Sequence, residues 1–425
     1  MNSTRRQLVG FAAAGSAALF RSSPASCGSA AGSQRVLRRR PVGLDYFGLH
    51  IHELNIPWPN FPFGMLRLWD TRTSWFHLQP QPDRWMFERL DGFVQRAKRN
   101  GVNLLLPLGM PPTWASARPS ERSPYNVPGT ASEPFDIASW KTYVETVAKR
   151  YRGQVQHYEI WNEVNAGAGF FTGTPESMFE LQRVAYEVLK GVDPGITVIS
   201  PSTEGSTEDK FVWFERYMTL MAGRYADAVA YHFYNPRKPP EALQSVVQRV
   251  QAILARTGGG RLPLWNTESG YRVDWGSTVP LTGTWATWPN LAPSRAAAWL
   301  VRAYLLGWLA GLDAYFWYGY DSGVMGMVSA SHEPSIVSRS MGHLIRHLSG
   351  ALVDELLMSN GVARARVRQG ASDSWWVWSM DDQDRQWSIP SALGARRALA
   401  MDDTLLDIKD GKLGVSDMPV RLMLG

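Results

Sequence analysis

A (β/α)8 TIM barrel carrying a small C-terminal all-β, sandwich-like domain is the fold class predicted by this 425-residue sequence. Three observations predict it. Eight strand-like segments, nearly all followed by a helix-like one, run from about residue 42 to residue 350. No glycine-rich phosphate loop opens any of the helices, which argues against an open doubly wound sheet. From residue 351 the helical spacing stops and short strands with turn residues between them take over.

Taken in order, Gly43 to His52 reads as a strand, 57–62 as a proline-rich loop and Met65 to Trp69 as a short strand. Phe87, Leu90, Val94 and Ala97 fall on one helix face within 84–99, and Gly101 ends that helix. Val102 to Leu108 is a buried strand broken by Pro111-Pro112, and Trp140, Val144, Val147 and Tyr151 mark the next helix face. Strands follow at His157 to Trp161, Thr197 to Ser200, Ala228 to Tyr234, Leu262 to Asn266 and Ala314 to Tyr318. Helices are expected at 176–191, 209–222, 240–256, 294–310 and 336–348. The helix at 294–310 is very apolar, but Arg295 and Arg302 interrupt it and its length is marginal for a membrane span, so it is expected to pack in the barrel. The barrel is assigned to 42–350 and the β domain to 351–425, where Trp375 to Trp378, Leu405 to Ile408 and Val420 to Leu424 read as strands and Asp410-Gly411 as a turn.

Composition narrows the function. Hydrophobic residues at 44% and charged residues at 19% describe a globular chain. Seven arginines and no acid lie within residues 1–40, and taking their charges from the formal +6 leaves the folded body at −1. A nucleic-acid binder would need a basic face on the domain itself, so nucleic acid is not an expected partner. Nineteen tryptophans supply flat faces suited either to a core or to a carbohydrate cleft.

Residues 1–27 read as an export signal: Thr4-Arg5-Arg6-Gln7-Leu8 is twin-arginine-like and an Ala-rich apolar stretch follows to Phe20. A periplasmic or extracellular location is the expectation. Residues 28–41 read as a linker. Cys27 is the only cysteine; Ala25-Ser26 before it fits a lipoprotein signal while Pro24 does not, so a lipid anchor and removal with the leader both stand.

Two apolar runs end in acids: Tyr158-Glu159-Ile160-Trp161-Asn162-Glu163 and Leu264-Trp265-Asn266-Thr267-Glu268. Glu163 and Glu268 are too distant in sequence to be local partners and meet only if the fold joins two strand ends. Barrel enzymes carry their sites at those ends, and two carboxylates facing one pocket are the machinery of glycoside cleavage. The other strand ends offer His50 and His52, Arg67 and Trp69, Trp114, His232 and Tyr234, and Trp317. His232 and Tyr234 share a strand face, whereas Asn162 and Glu163 point apart unless the strand loosens there. His50 and His52 share a face that spacing does not orient, and Trp69 and Trp114 are candidate subsite walls. No metal-ligand spacing and no cofactor motif is found, so neither a metal nor a cofactor is expected.

With Arg67, Asn162-Glu163, His232, Tyr234, Glu268 and Trp317 in this order, the chain resembles the clan of retaining glycoside hydrolases on (β/α)8 barrels. Pro111-Pro112-Thr113-Trp114-Ala115, Tyr158 to Glu163 and Tyr231-His232-Phe233-Tyr234 make it similar to glycoside hydrolase family 39. Arg67-Leu68-Trp69-Asp70 and Pro112 to Pro119 resemble bacterial endoglycosidases encoded with exopolysaccharide machinery. The resemblance implies Glu163 as acid/base, Glu268 as an ionised nucleophile, Asn162 on the sugar 2-hydroxyl, and Arg67 and Tyr234 holding Glu268. It further implies that His232 orients the network and that Trp317 lies under the sugar at the cleaved position.

Three functions compete: an endoglycosidase on a bacterial exopolysaccharide, an exo-acting β-xylosidase-like enzyme on oligosaccharides, and a non-catalytic polysaccharide-binding or assembly protein. The third is opposed by the presence of both acids. The loop at 271–293, with Trp275, Trp285 and Trp288, suits either a subsite wall or a lid.

Overall fold

The computed structural model describes residues 32–35, 40–123, 125–166, 169–276, 286–329 and 331–424. The export signal, Cys27, most of the 28–41 linker and Trp285 lie outside these residues. Within the linker, β1 (Gly32–Arg35) pairs antiparallel with a strand of the C-terminal domain.

The barrel strands are β2 (Phe47–His50), β3 (Met65–Arg67), β4 (Asn103–Leu108), β5 (His157–Ile160), β6 (Thr197–Ile199) with its continuation β7 (Thr203–Glu204), β8 (Val229–His232), β9 (Leu264–Ser269) and β10 (Ala314–Trp317). All pairings among them are parallel, and β10 returns to β2. The cylinder closes where β6 pairs with β5, Ile199 bridges Ala228 and β7 pairs with β8. Pro201 at the break between β6 and β7 has no N–H for the ladder. The Ser200 hydroxyl compensates by accepting from the Ala230 N–H at 3.0 Å.

Alternation sorts the strand side chains. Met65, Leu105, Ile199, Ala228, Ala230, Ala314 and Phe316 fill the interior, while Leu66, Leu104 and Leu106 face the helices. Gly48 makes room for Phe316: a Cβ there would fall 2.3 Å from its ring. Around the strands lie α1 (Trp75–Leu78), α2 (Glu88–Arg99), α3 (Ile137–Arg150), α4 (Pro175–Val192), α5 (Glu208–Met221), α6 (Leu243–Arg256), α7 (Pro293–Ala310) and α8 (Ile336–Leu348). Their starts are chemically marked: Asp136 accepts from the N–H groups of Ala138 and Ser139, and Thr174 and Ser177 form a capping box ahead of α4.

Two strand boundaries differ from expectation in ways that matter. The second strand stops at Arg67, because Asp70 and Arg72 take left-handed backbone conformations. The seventh begins at Leu264 and runs through Ser269, so Glu268 sits inside a strand rather than beyond its end.

The C-terminal domain comprises β11 (Leu352–Ser359), β12 (Val362–Gln369), β13 (Ser372–Ser379), β14 (Arg385–Ser388), β15 (Ala395–Leu399), β16 (Leu405–Leu406), β17 (Ile408–Lys409), β18 (Lys412–Val415) and β19 (Val420–Leu424). They form a seven-stranded sheet ordered β1-β11-β12-β13-β19-β15-β16 and a three-stranded sheet β14-β18-β17. The period of two explains the layering. Trp375 and Val377 of β13 join the core between the two sheets, whereas Trp376 and Trp378 join the core shared with the barrel.

α7 is buried nearly all round because the barrel covers one side and this domain the other. Among the described residues no helix is long and apolar enough to cross a membrane. Arg302 on α7 is fully buried, meets Asp382 at 2.7 Å and also pairs with Glu241.

Candidate active site

The fold brings the two acids together. One carboxylate oxygen of Glu163, one of Glu268 and a ring nitrogen of His232 all lie within 4.8 Å of one another. This matches the short separation of retaining glycosidases, about 5–5.5 Å between carboxyl groups, and not the wider inverting spacing. Backbone geometry solves the problem of neighbouring Asn162 and Glu163. Trp161 and Glu163 have φ of 72° and 44°, so the chain leaves the strand after Ile160; Glu163 lines the cavity and Asn162 is buried against Arg67. The Glu163 N–H is held by Ser202 Oγ at 3.1 Å.

Arg67, fully buried at the end of β3, organises the floor. Its Nη1 donates to Glu268 Oε2 at 2.9 Å, its Nη2 to Asn162 Oδ1 at 2.7 Å, and its Nε to Glu159 Oε2 at 2.5 Å. The Tyr234 hydroxyl donates to the other Glu268 oxygen at 3.0 Å. Burial and the Glu268 charge raise the Tyr234 pKa well above the usual phenol value, so it remains a donor. Asn162 Nδ2 is buried without a hydrogen-bond partner among the described residues.

The acids differ in setting. Burial, reinforced by the Glu204 charge, pushes Glu163 up to about 8, with Arg67 and Lys210 acting the other way. Burial pushes Glu268 up to about 7; Arg67 opposes this, and the Glu163 charge adds to it. Glu268 accepts from Arg67 and Tyr234, and both donors favour its ionised form. The ionised form expected of it is not unopposed: its own burial works against the charge that Arg67 supports. A cation entering this cluster would meet the Arg67 guanidinium already neutralising Glu268, so the arrangement suits proton transfer and nucleophilic attack rather than metal ligation.

The remaining expected residues divide. Trp69 lines a cavity of about 570 Å³ together with Asp70, Tyr125, Glu163, Phe170, Glu204, Lys210, Tyr234, Glu268, Trp288 and Tyr318. His50 lies beneath it, fully buried, with Nε2 donating to the Thr267 carbonyl at 3.0 Å. His52 pairs with Asp321 at 2.9 Å, outside the lining. Burial disfavours its charged form, but Asp321 outweighs that and raises its pKa. Trp317 was expected to be a sugar platform. Instead it is fully buried in β10, with its indole N–H spent on the Met325 carbonyl at 2.9 Å. Trp114 is likewise no wall of this cavity: it packs edge-on to Trp75 and donates to the Gln79 carbonyl.

Two residues lining the cavity, Glu204 and Lys210, carried no sequence signal of their own. Glu204 and Lys210, paired at 2.6 Å, come from the short continuation β7 and from α5. Asp70 accepts from Tyr318 at 2.7 Å and also from Tyr125, tying two distant loops. Trp288 packs tilted against Tyr234, with ring centroids 5.1 Å apart; the sequence does not give the direction of its loop.

Comparison with solved structures bears on this frame. A family 39 glycoside hydrolase from the gut symbiont Bacteroides cellulosilyticus WH2 superposes with a TM-score of 0.67 at 18% identity, covering 91% of this chain and 81% of that one. A GH39 beta-xylosidase from Caulobacter crescentus gives 0.62 at 15% identity, covering 92% and 98%. The chain has the fold of the family 39 glycoside hydrolases. The GH39 enzyme from Xanthomonas axonopodis pv. citri agrees, with 0.61 at 15% identity over 92% and 94% of the two chains. Among curated proteins, a beta-xylosidase from Geobacillus stearothermophilus is 23% identical over 181 residues, 37% of this chain. That match spans only 35% of the relative's length. No family model matches the sequence.

Proposed function

We propose that this chain is a retaining glycoside hydrolase acting by double displacement. The observation that carries the reading is the Glu163–Glu268 pair within 4.8 Å at one cleft, one acid gripped by Arg67 and Tyr234 and the other facing His232. The Glu268 carboxylate attacks the anomeric carbon while Glu163 gives its proton to the departing glycosidic oxygen. Glu163, now ionised, takes a proton from water as the water oxygen displaces Glu268 from the sugar. Asn162 Nδ2 donates to the 2-hydroxyl, and Trp69, Tyr125, Phe170, Trp288 and Tyr318 offer apolar faces to the rings.

The finer reading is an endo-acting enzyme on a bacterial exopolysaccharide, working with exopolysaccharide machinery after export to the periplasm or beyond, with a lipid anchor at Cys27 as a variant. The Arg67-to-Asp70 and Pro112-to-Pro119 motifs and the twin-arginine-like leader support it. A second reading, an exo-acting β-xylosidase-like enzyme, is favoured by the names of the relatives. Product size over time from candidate polymers separates them. Early mid-sized oligomers indicate endo action and steady monosaccharide release exo action. Polymers bound but never cut, by the wild type as by Glu268→Gln, would return the chain to a binding role.

A further inference from the structure

The proton on Glu163 is tied to a chain of hydrogen bonds whose direction is set on the far side of the barrel floor. Glu159 on β5 is fully buried and meets the Arg67 guanidinium; an ionised carboxylate only accepts. The Thr267 hydroxyl on β9 donates its one proton to Glu159 Oε1 at 2.9 Å. Its oxygen is 3.1 Å from His232 Nε2 and, with its proton spent, accepts there. His232 must therefore carry its hydrogen on Nε2. Burial lowers the His232 pKa to about 4, so the ring is neutral and holds no second proton. Nδ1 is then a bare lone pair, and it lies 2.9 Å from Glu163 Oε1. That contact is a hydrogen bond only when Glu163 bears the proton; with Glu163 ionised, two lone pairs face each other.

We infer that Thr267 and Glu159 are positioning residues that fix the tautomer of His232 and so hold Glu163 in its proton-bearing form. Neither lines the cleft. The inference rests on the acid role proposed for Glu163, which it deepens. Once the proton has gone to a leaving oxygen, the Nδ1 lone pair makes the Glu163 carboxylate costly and favours its recovery of a proton from water. Other charged and titratable groups also face Glu163: Arg67 on β3, Asp70 after it, Glu204 on β7, Lys210 on α5, Tyr234 beyond β8 and Glu268 on β9. All of them are unchanged by a substitution at Thr267.

Thr267→Val keeps the shape and removes the hydroxyl. The Nε2 hydrogen loses its acceptor, the ring is free to carry hydrogen on Nδ1, and Nδ1–H stabilises ionised Glu163. The test is a carbon-13 NMR titration of glutamate-labelled full-length chain, the Glu163 signal being the one missing in Glu163→Gln. The midpoint is expected near 8 in the unaltered chain, lower by about one unit or more in Thr267→Val, and unshifted in Thr267→Ser, which keeps the hydroxyl. A nitrogen-15 histidine spectrum of the unaltered chain, with His232 assigned through His232→Asn, should show hydrogen on Nε2 at pH 7. An unmoved midpoint in Thr267→Val, an equal fall in Thr267→Ser, or hydrogen on Nδ1 in the unaltered chain overturns the inference. If Thr267→Val does not fold, the nitrogen-15 spectrum alone decides. None of these readouts involves turnover, so their failure leaves the hydrolase proposal to its own product assay.

Discussion

Two arginines in this molecule are buried to the same extent and do different things. Arg67 and Arg302 are both fully buried, and each holds two carboxylates. Around Arg302 the carboxylates also take indole donors, Trp378 donating to Glu241 at 2.7 Å and Trp299 to Asp382 at 3.1 Å, and their side chains keep 14% and 13% exposure. Around Arg67, Glu159 is fully buried and the Glu268 side chain keeps 9% exposure, beside Glu163 in the cleft. One knot ties α7 to the C-terminal domain, whereas the other holds an acid beside a second acid in a cavity. What separates structure from chemistry here is the neighbouring Glu163, not the exposure or the identity of the charged groups.

The largest effect expected follows from that acid pair. Glu268→Gln should lower hydrolysis roughly 10³-fold or more, and Glu163→Gln about 10²–10⁴-fold, read as product release from a cleaved polymer. The arginines themselves should then part company. Arg302→Ala leaves two partly buried acids without their shared cation and should cost less than the about 3–5 kcal/mol of a fully buried pair, measured by denaturant unfolding, with the kcat of the folded fraction retained. Arg67→Ala should cost about that full amount and abolish turnover as well. Retained turnover in Arg67→Ala would break the comparison.

Acidity sharpens it further. In the proposed mechanism Glu268 acts ionised and Glu163 protonated, so the pH profile should rise near 7 and fall near 8. Arg67→Lys should move the rising limb upward, because the paired charge is less well placed. Stability should follow the opposite sign from an ordinary ion pair. Glu163 has a raised pKa in the folded chain, so the folded state holds a proton that the unfolded chain releases near its ordinary value of 4.5. Stability therefore declines as pH rises from that value towards 8, and Glu163→Gln should raise Tm at pH 8 by a few degrees but not at pH 4. The smallest effect expected is Trp288→Ala, which removes an aromatic wall and should raise KM several-fold with kcat nearly unchanged, a loss of about 1 kcal/mol.

Much of this arrangement was legible in the chain. Period and punctuation gave the strands and helices, because buried parallel strands and amphipathic helices leave different spacings. The acids were legible because each ends an apolar run. Three things were not. The turn that brings Glu163 beside Asn162 depends on left-handed backbone at Trp161 and Glu163, residue types with no preference for it. Glu204 and Lys210 reach the cavity from β7 and α5, and nothing local in the sequence says that these elements border it. Trp317 and Trp114 share the composition of cleft residues, and only the third dimension shows their N–H groups already spent on backbone carbonyls.

The alternating indoles of β13 have a practical consequence. Trp376 and Trp378 press on the barrel while Trp375 presses the other way, into its own small core. A chain stopped at residue 350 would leave α7 without its outer cover, a wet apolar wall in which Arg302 keeps Glu241 but loses Asp382. The barrel is thus poorly suited to excision as a stand-alone catalyst, and engineering for size would have to repaint that wall with polar side chains first.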